Sequence, residues 1–414
     1  MRLPYLLVAL LLGALPFAHA AGLHDTFEQA WLAQPDAQAQ AAREEEMSAR
    51  RTAAQAWSPQ PLTVSLSHKT DRTDRNAGVR EWELEFGLPL WQPGERSRQM
   101  ATADAESDQY QATQDEARWR FAGAFREAWW QLQLAGSDAA VATRRATEAA
   151  MLAGDLARRL KVGAIARVDA NSAQIAFQAA QLGQAQAEAA WQRTQRDWLV
   201  FARSAPSADQ PAFDAESPAK RFESHPAPVL GGIAEASIDQ HPALHAAQVR
   251  LVAARARLAL AGANLREAPE LSLALTRERQ STLEPYNQLL TLRLKVPFGG
   301  DTRNRPRLAA ANAELIEAQA AYDKLKRQLM ADLASAETDL RQQQDAVAIA
   351  SQRQQLAQDN FTLMAKAYQL GNIDLATRLR ADSDRFDAEQ GLARARLEAA
   401  RAISRYNQAL GVLP

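Results

Sequence analysis

Leu294 to Pro306 reads LKVPFGGDTRNRP and joins two unlike patterns. Upstream of it, Leu290, Leu292, Leu294, Val296 and Phe298 alternate with Thr291, Arg293 and Lys295. A period this close to two predicts a strand with one apolar and one polar face. Downstream, from about Arg307, Ala, Gln, Glu and Arg dominate, and the tract Thr302 to Leu370 reads as helix without interruption. Almost seventy residues at ~1.5 Å each make about 100 Å of helix, far longer than a globular element. Leucines and their kin recur at heptad spacing as Leu315, Tyr322, Leu329, then Leu333, Leu340, Val347, then Ile349, Leu356, Leu363. Heptads predict supercoiling against neighbouring helices.

The same transition occurs earlier, as FGLPLWQPGERSR from Phe86 to Arg98. Setting the chain against itself at an offset of 208 residues brings Pro89 onto Pro297, Leu90 onto Phe298, Gly163 onto Gly371 and Gly183 onto Gly391. Glu106 falls on Glu314, Arg193 on Arg401 and Trp198 on Tyr406. Upstream, Gln34-Pro35 meets His241-Pro242 at an offset of 207, so one small indel separates the two registers. The chain therefore reads as two copies of one unit, residues 21–203 and 231–414. Between them, residues 204–230 hold Pro206, Pro211, Pro218, Pro226 and Pro228 and read as a linker.

Each unit starts with a helical stretch of about 35 residues, Leu23 to Trp57 and Gly232 to Glu267. Two alternating segments follow, around Leu62–Ser67 and Glu81–Leu90 in the first unit and around Leu271–Thr276 and Leu290–Phe298 in the second. Then come the long tracts, Gly94 to Val162 and Thr302 to Leu370, which turn at Gly163 and Gly371 and return as helix. The leading helix and the return helix together match one long tract, so they can stack end to end beside it. The fold class is mainly α with a small β part: tandem long coiled coils and four strands per chain.

Composition sets limits on function. With 48 basic and 49 acidic residues the chain carries no excess charge for nucleic acid. Without cysteine it holds neither disulfides nor thiolate metal sites. Residues 1–20 show Arg2, the apolar run Leu3–Phe17 and the small-x-small triplet Ala18-His19-Ala20, the pattern of a secretory signal peptide cut after Ala20. No later segment approaches the ~20 consecutive apolar residues of a membrane-spanning helix. Nothing in the chain pairs a nucleophile with a base, forms a phosphate loop or sets two carboxylates as acid and base, so no enzyme activity is expected. His241 and His245 in HPALH have a spacing that can hold zinc, but no third ligand is near and Pro242 follows the first, so no metal site and no cofactor are expected.

Four strands of about ten residues cannot close a barrel, and an open sheet edge in lipid is prohibitive. Several chains must then pool their strands: two give eight, three give twelve. A soluble sandwich with a helical appendage is the alternative, and it sits poorly with a signal peptide and ~100 Å helices.

At this level of detail the chain resembles the TolC-type outer-membrane efflux channels. The resemblance rests on the duplication, on the junctions LPLWQPGERSR and VPFGGDTRNRPRLAAANAE, and on the turns RLKVGAIARVDANSAQ and AYQLGNIDLATRLRADSD. Length and signal peptide are most similar to the heavy-metal, cobalt–zinc–cadmium branch of the tripartite pumps. The resemblance implies a homotrimer with a twelve-stranded barrel in outer-membrane lipid and a twelve-helix tunnel through the periplasm. It implies two protein partners, a periplasmic adaptor and an inner-membrane pump of the RND type, and a cargo of small toxic solutes such as divalent metal cations. A multidrug duct and the exit of a type I protein-secretion system share the fold.

The resemblance also implies roles for residues. The turns form the periplasmic tip that meets the adaptor: Arg159, Leu160, Gly163, Ala164 and Ile165, then Tyr368, Leu370, Gly371, Asn372 and Ile373. In the family, acidic residues six and nine positions after the second glycine often close the aperture. Here these are Thr377 and Arg380, so the closure falls to Asp374, Asp382 or Asp384, or to Arg380 with its own partners. Glu81, Glu83, Glu85, Arg293 and Lys295 lie on the polar, lumen face of the strands, where opposite charges on different strands can pair. Trp82 and Trp91 would anchor the apolar face at the membrane interfaces.

Overall fold

The computed structural model describes residues 23–74, 76–201, 235–264, 267–298 and 301–414. The expected signal peptide and almost all of the expected Pro-rich linker lie outside the described residues. The first unit runs α1 (Leu23–Leu32), α2 (Pro35–Ala54), β1 (Thr63–Thr70), β2 (Arg80–Pro89), α3 (Glu95–Lys161) and α4 (Arg167–Trp198). The second runs through a 3-10 turn (Glu235–Gln240), α5 (Pro242–Ala263), β3 (Glu270–Arg279), β4 (Asn287–Lys295), α6 (Asp301–Gln369) and α7 (Leu375–Ala409). The long tracts of the sequence are thus single helices of 67 and 69 residues.

The leading stretches differ from the expectation of one unbroken helix. Each is cut at a proline, between α1 and α2 at Pro35 and between the 3-10 turn and α5 at Pro242. Both prolines take the first helical turn, where no N–H is needed, and the residues before them, Gln34 and His241, are extended. The strands also reach one to three residues further toward their hairpin loops than the alternation alone marked.

The strands form one antiparallel sheet in the order β1-β2-β3-β4. The helices repeat this order. α2 and α4 both lie against α3; α3 lies against α5 and α7; these in turn lie against α6. One helical layer thus continues the order of the sheet, and both layers end in open edges. Among the described residues, β1 and β4 have no outer partner strand, and α6 on one side and α2 with α4 on the other have no outer partner helix.

The core is a series of small clusters strung along this layer. Phe27 of α1 meets Phe125 edge-on at 5.5 Å, within a group that includes Ala30, Ala122, Leu132 and Trp198. Leu329, Leu333 and Leu340 of α6 bury against Leu244, Ala402 and Tyr406. The first two heptad runs of α6 therefore pack inward. The third does not: Ile349, Leu356 and Leu363 are 66–71 % exposed. Val168, Ile175 and Leu182 on α4, again seven apart, are 61–72 % exposed.

Candidate functional site

The sheet is inside out relative to a soluble protein. The register places Val64, Phe86, Leu273 and Leu292 in one row across the four strands, and Leu66, Leu84, Leu275 and Leu290 in the next, all on one face. This leucine face is bare: Leu66, Leu290 and Leu292 are about 70 % exposed. The opposite face carries Ser65, Glu85, Ala274 and Thr291, then Ser67, Glu83, Thr276 and Leu289, and there Ser272, Ala274 and Thr276 are buried. In water the burial would run the other way.

All five sequence-derived charges, Glu81, Glu83, Glu85, Arg293 and Lys295, fall on the more enclosed polar face. Arg293 reaches Glu85 at 3.0 Å across the intervening strand, over the small Ser272 and Ala274 of β3. Lys295 approaches Glu270 at 3.9 Å and Lys69 approaches Glu81 at 3.5 Å. The face holds Glu81, Glu83, Glu85, Glu270 and Glu278 against Lys69, Arg293 and Lys295, a surplus of two negative charges. Of the two tryptophans, Trp82 stacks on His68 at 3.9 Å near the hairpin end, while the Trp91 indole donates to the Ala56 carbonyl at the helix junction.

At the other end of the molecule both turns use one device. Gly163 (φ +71°) and Gly371 (φ +77°) sit in the left-handed region, where a side chain would be strained. Ala164 N–H donates to Arg159 and Gly163 N–H to Leu160; Asn372 N–H donates to Ala367 and Gly371 N–H to Tyr368. These are two Schellman caps, which satisfy the last carbonyls of α3 and α6. Ile165 and Tyr368 pack inward on a cluster of Ala153, Leu156, Ala173 and Leu375 that joins the two helical hairpins. Gly163, Ala164, Leu370, Gly371 and Asn372 are exposed, Leu160 and Ile373 half-buried, and Arg159 pairs with Asp155 at 2.9 Å. The ten tip residues thus divide into an inner brace and an outer surface.

The aperture candidates divide as well. Asp374 is the N-cap of α7, and its carboxylate accepts from Thr377 N–H at 3.0 Å. Hydrogen bonding from the Thr377 side chain first, and from its backbone N–H second, holds the carboxyl below the ordinary carboxylate range. Asp382 is bound by Arg385 at 2.9 Å. Thr377, Arg380 and Asp384 are exposed at i, i+3 and i+7, so they share one helix face.

Sequence reasoning missed the cross-links between α3 and α7. Arg385 bonds Glu148 as well as Asp382, and its guanidinium stacks on Phe386 at 4.1 Å. Burial opposes the Arg385 charge, but its hydrogen bonds to Asp382 and Glu148 outweigh that and hold it charged. Arg145 reaches Asp387 at 3.0 Å and Ser383 at 2.8 Å, Arg144 bonds Glu389, and Arg401 bonds Glu127. Only a known packing of the two helices makes these pairs visible, since the partners lie more than 230 residues apart.

His241 and His245 are not brought together. His241 is fully buried, caps α5 through Nδ1 and meets Trp119 edge-on at 4.6 Å, whereas His245 is exposed. Among the described residues no three His, Cys, Asp or Glu gather as a metal site would need.

Residues 233–412 match the model of the outer membrane efflux protein family. The matched repeat holds β3, β4, both long helices α6 and α7, and the Gly371 tip, and the first repeat copies its architecture element for element. Solved channels share the whole fold. A CusC structure, from work on conformational changes accompanying folding and transmembrane channel formation, superposes with a TM-score of 0.78 at 15 % identity, covering 94 % of this chain and 92 % of that one. The open-state outer membrane channel MtrE of Neisseria gonorrhoeae gives 0.74 at 16 % identity over 95 % and 89 %. VceC, an outer membrane protein of Vibrio cholerae, gives 0.72 at 16 % over 94 % and 96 %. Among curated proteins, protein CyaE of Bordetella pertussis is 26 % identical over 354 residues, 81 % of this chain and 73 % of CyaE. The family match and the shared channel fold agree with an outer-membrane location.

Proposed function

We propose that this chain is the outer-membrane exit duct of a tripartite efflux pump of the RND type, working as a homotrimer and passing small toxic solutes, divalent metal cations first among them. The observation that carries this reading is the inside-out sheet continued, in the same element order, by a layer of ~100 Å helices. An exposed leucine face suits lipid, an enclosed polar face suits a water-filled lumen, and two open edges suit closure by further copies. Three chains supply twelve strands and a tunnel wall twelve helices wide. The surplus of two negative charges on each chain's polar face favours cations over anions in the lumen.

The chain supplies no energy. Cargo is driven by the inner-membrane pump and handed on by an adaptor that grips the tip turns, with Leu160, Gly163, Ala164, Leu370, Gly371 and Asn372 as the contact surface. Opening is a change between two packings of the tip helices. The heavy-metal assignment rests on the lumen charge.

The test is resistance of a deletion strain to zinc, cobalt, cadmium, nickel, copper and common drugs, with the plasmid-borne gene as control. Sensitivity confined to metals supports the metal duct. Sensitivity confined to drugs makes it a multidrug duct, and a loss of an exported protein without either makes it a secretion exit.

A further inference from the structure

The bare leucine face does not run to the end of the sheet. Above the row of Leu66, Leu84, Leu275 and Leu290 comes a row of His68, Trp82, Arg277 and Gln288, and above that Thr70, Arg80 and Arg279. Three arginines therefore occupy the lipid-side face of two adjacent strands, immediately beyond the leucine belt. They lie at the hairpin-loop end of the sheet, opposite to the end where β2 leads into α3. With the helices in the periplasm, that end is the cell-surface side.

The grouping is unfavourable by itself. Arg80 and Arg279 are direct cross-strand partners, and like charges so placed repel. Arg277 and Arg279 both lie over the Tyr286 ring, at 4.6 and 4.9 Å from its centre, so the ring gathers the two guanidinium groups instead of letting them spread. Arg279 donates through Nε to the Gly78 carbonyl, which fixes its stem. No described carboxylate forms an ion pair with any of the three. Glu81 and Glu278, their neighbours in sequence, are on the other face of the sheet. Protein charge thus leaves a cationic patch at the upper margin of an apolar belt, flanked by Trp82 and Tyr286.

We infer that Arg80, Arg277 and Arg279 form a docking site for the phosphorylated headgroup of an outer-leaflet lipid, the diphosphorylated glucosamine of lipopolysaccharide. Forked guanidinium groups match phosphate oxygens two at a time, and the acyl chains of such a lipid would lie down the leucine rows below. A neutral or zwitterionic headgroup would leave the three charges uncompensated. The inference rests on the reading that the leucine face meets lipid.

The full-length channel, purified in detergent, is titrated with diphosphoryl lipid A and with the same lipid freed of phosphate, while thermal unfolding and bound lipid are read. The phosphorylated form should bind at least about tenfold more tightly. R80S/R277S/R279S should lose that preference and R80K/R277K/R279K should keep part of it. Equal binding of the two lipids by the parent protein overturns the proposal, as does an undiminished preference in the triple-serine variant. Bilayer conductance of the parent separates the two readings. A conducting channel without phosphate preference sinks the docking site alone; a parent that never inserts sinks the barrel and the site with it.

Discussion

His241 shows how much a single side chain carries at the waist of this molecule. It caps α5, packs against Trp119 and touches the C-terminal turn, where a Cβ on Gly411 would come within 2.6 Å of Pro242 and 2.9 Å of His241. Burial pushes its pKa down from 6.5 to about 4, against the opposing pull of the Gln408 backbone and Glu116. The folded state then binds fewer protons than the unfolded state between those two values, so stability falls as pH drops from 6.5 toward 4 and is fully present above 6.5. The shift corresponds to on the order of 3 kcal/mol. Helical melting followed by circular dichroism should show this decline, and His241→Asn, which keeps a capping acceptor, should flatten it. Gly411→Ala should destabilise the same waist by about 1–3 kcal/mol, since its φ of +82° and the close contacts both resist a methyl group. The sequence displayed HPALH and invited a metal reading. It could not show that Pro242 forces the two histidines into different roles, one capping inside the helix junction and one facing solvent.

At the scale of elements, most of the fold was legible because its signals are long. Period-two alternation marked all four strands, and seventy unbroken helical residues marked α3 and α6 to within a residue or two. The tip glycines were legible for the same reason, because a left-handed cap needs glycine at that position in both repeats. The surroundings of the proposed aperture residues were not, since these depend on which α7 residues meet α3. Asp374, read as a candidate ring charge, is engaged as a helix cap. Asp374→Asn should keep the cap and leave single-channel conductance in planar bilayers at the parental value, whereas Arg380→Glu reverses a charge on the bare Thr377–Arg380–Asp384 face and should shift ion selectivity. Arg385 is different again. It ties α7 to Glu148 of α3 and stacks on Phe386, so it resists separation of the two tip helices. Arg385→Ala removes a half-buried, hydrogen-bonded cation, a change worth about 3 kcal/mol. The closed-state leak of such a channel should rise; a leak equal to the parent's would place the latch elsewhere.

At the scale of the whole molecule, the open edges of the single chain agree with one another. The sheet ends at β1 and β4, and the helical layer ends at α2 with α4 on one side and α6 on the other. Because helix order follows strand order, one copy's α6 edge must meet the next copy's α4 edge whenever β4 meets β1. The two helical edges carry matching heptads: Ile349, Leu356 and Leu363 on α6, Val168, Ile175 and Leu182 on α4. The sequence showed three heptad runs on α6 without saying which neighbour each one faces. Only the structure separates the inward Leu329, Leu333 and Leu340 from the outward third run, since a heptad states that a helix has a seam and not which neighbour fills it. Burying three apolar side chains from each edge contributes several kcal/mol per interface. Leu356→Glu would set a carboxylate in the middle of that seam, and Ile175→Glu would do the same from the facing edge. Each should convert the assembly to monomers on native gels and by light scattering, while circular dichroism retains the helical content because neither residue supports the chain's own core. Pairing Leu356→Lys with Ile175→Glu places opposite charges across the same seam and should recover part of the oligomer. Two assembled single variants would mean that copies join through their sheets alone, with the helical edges left apart.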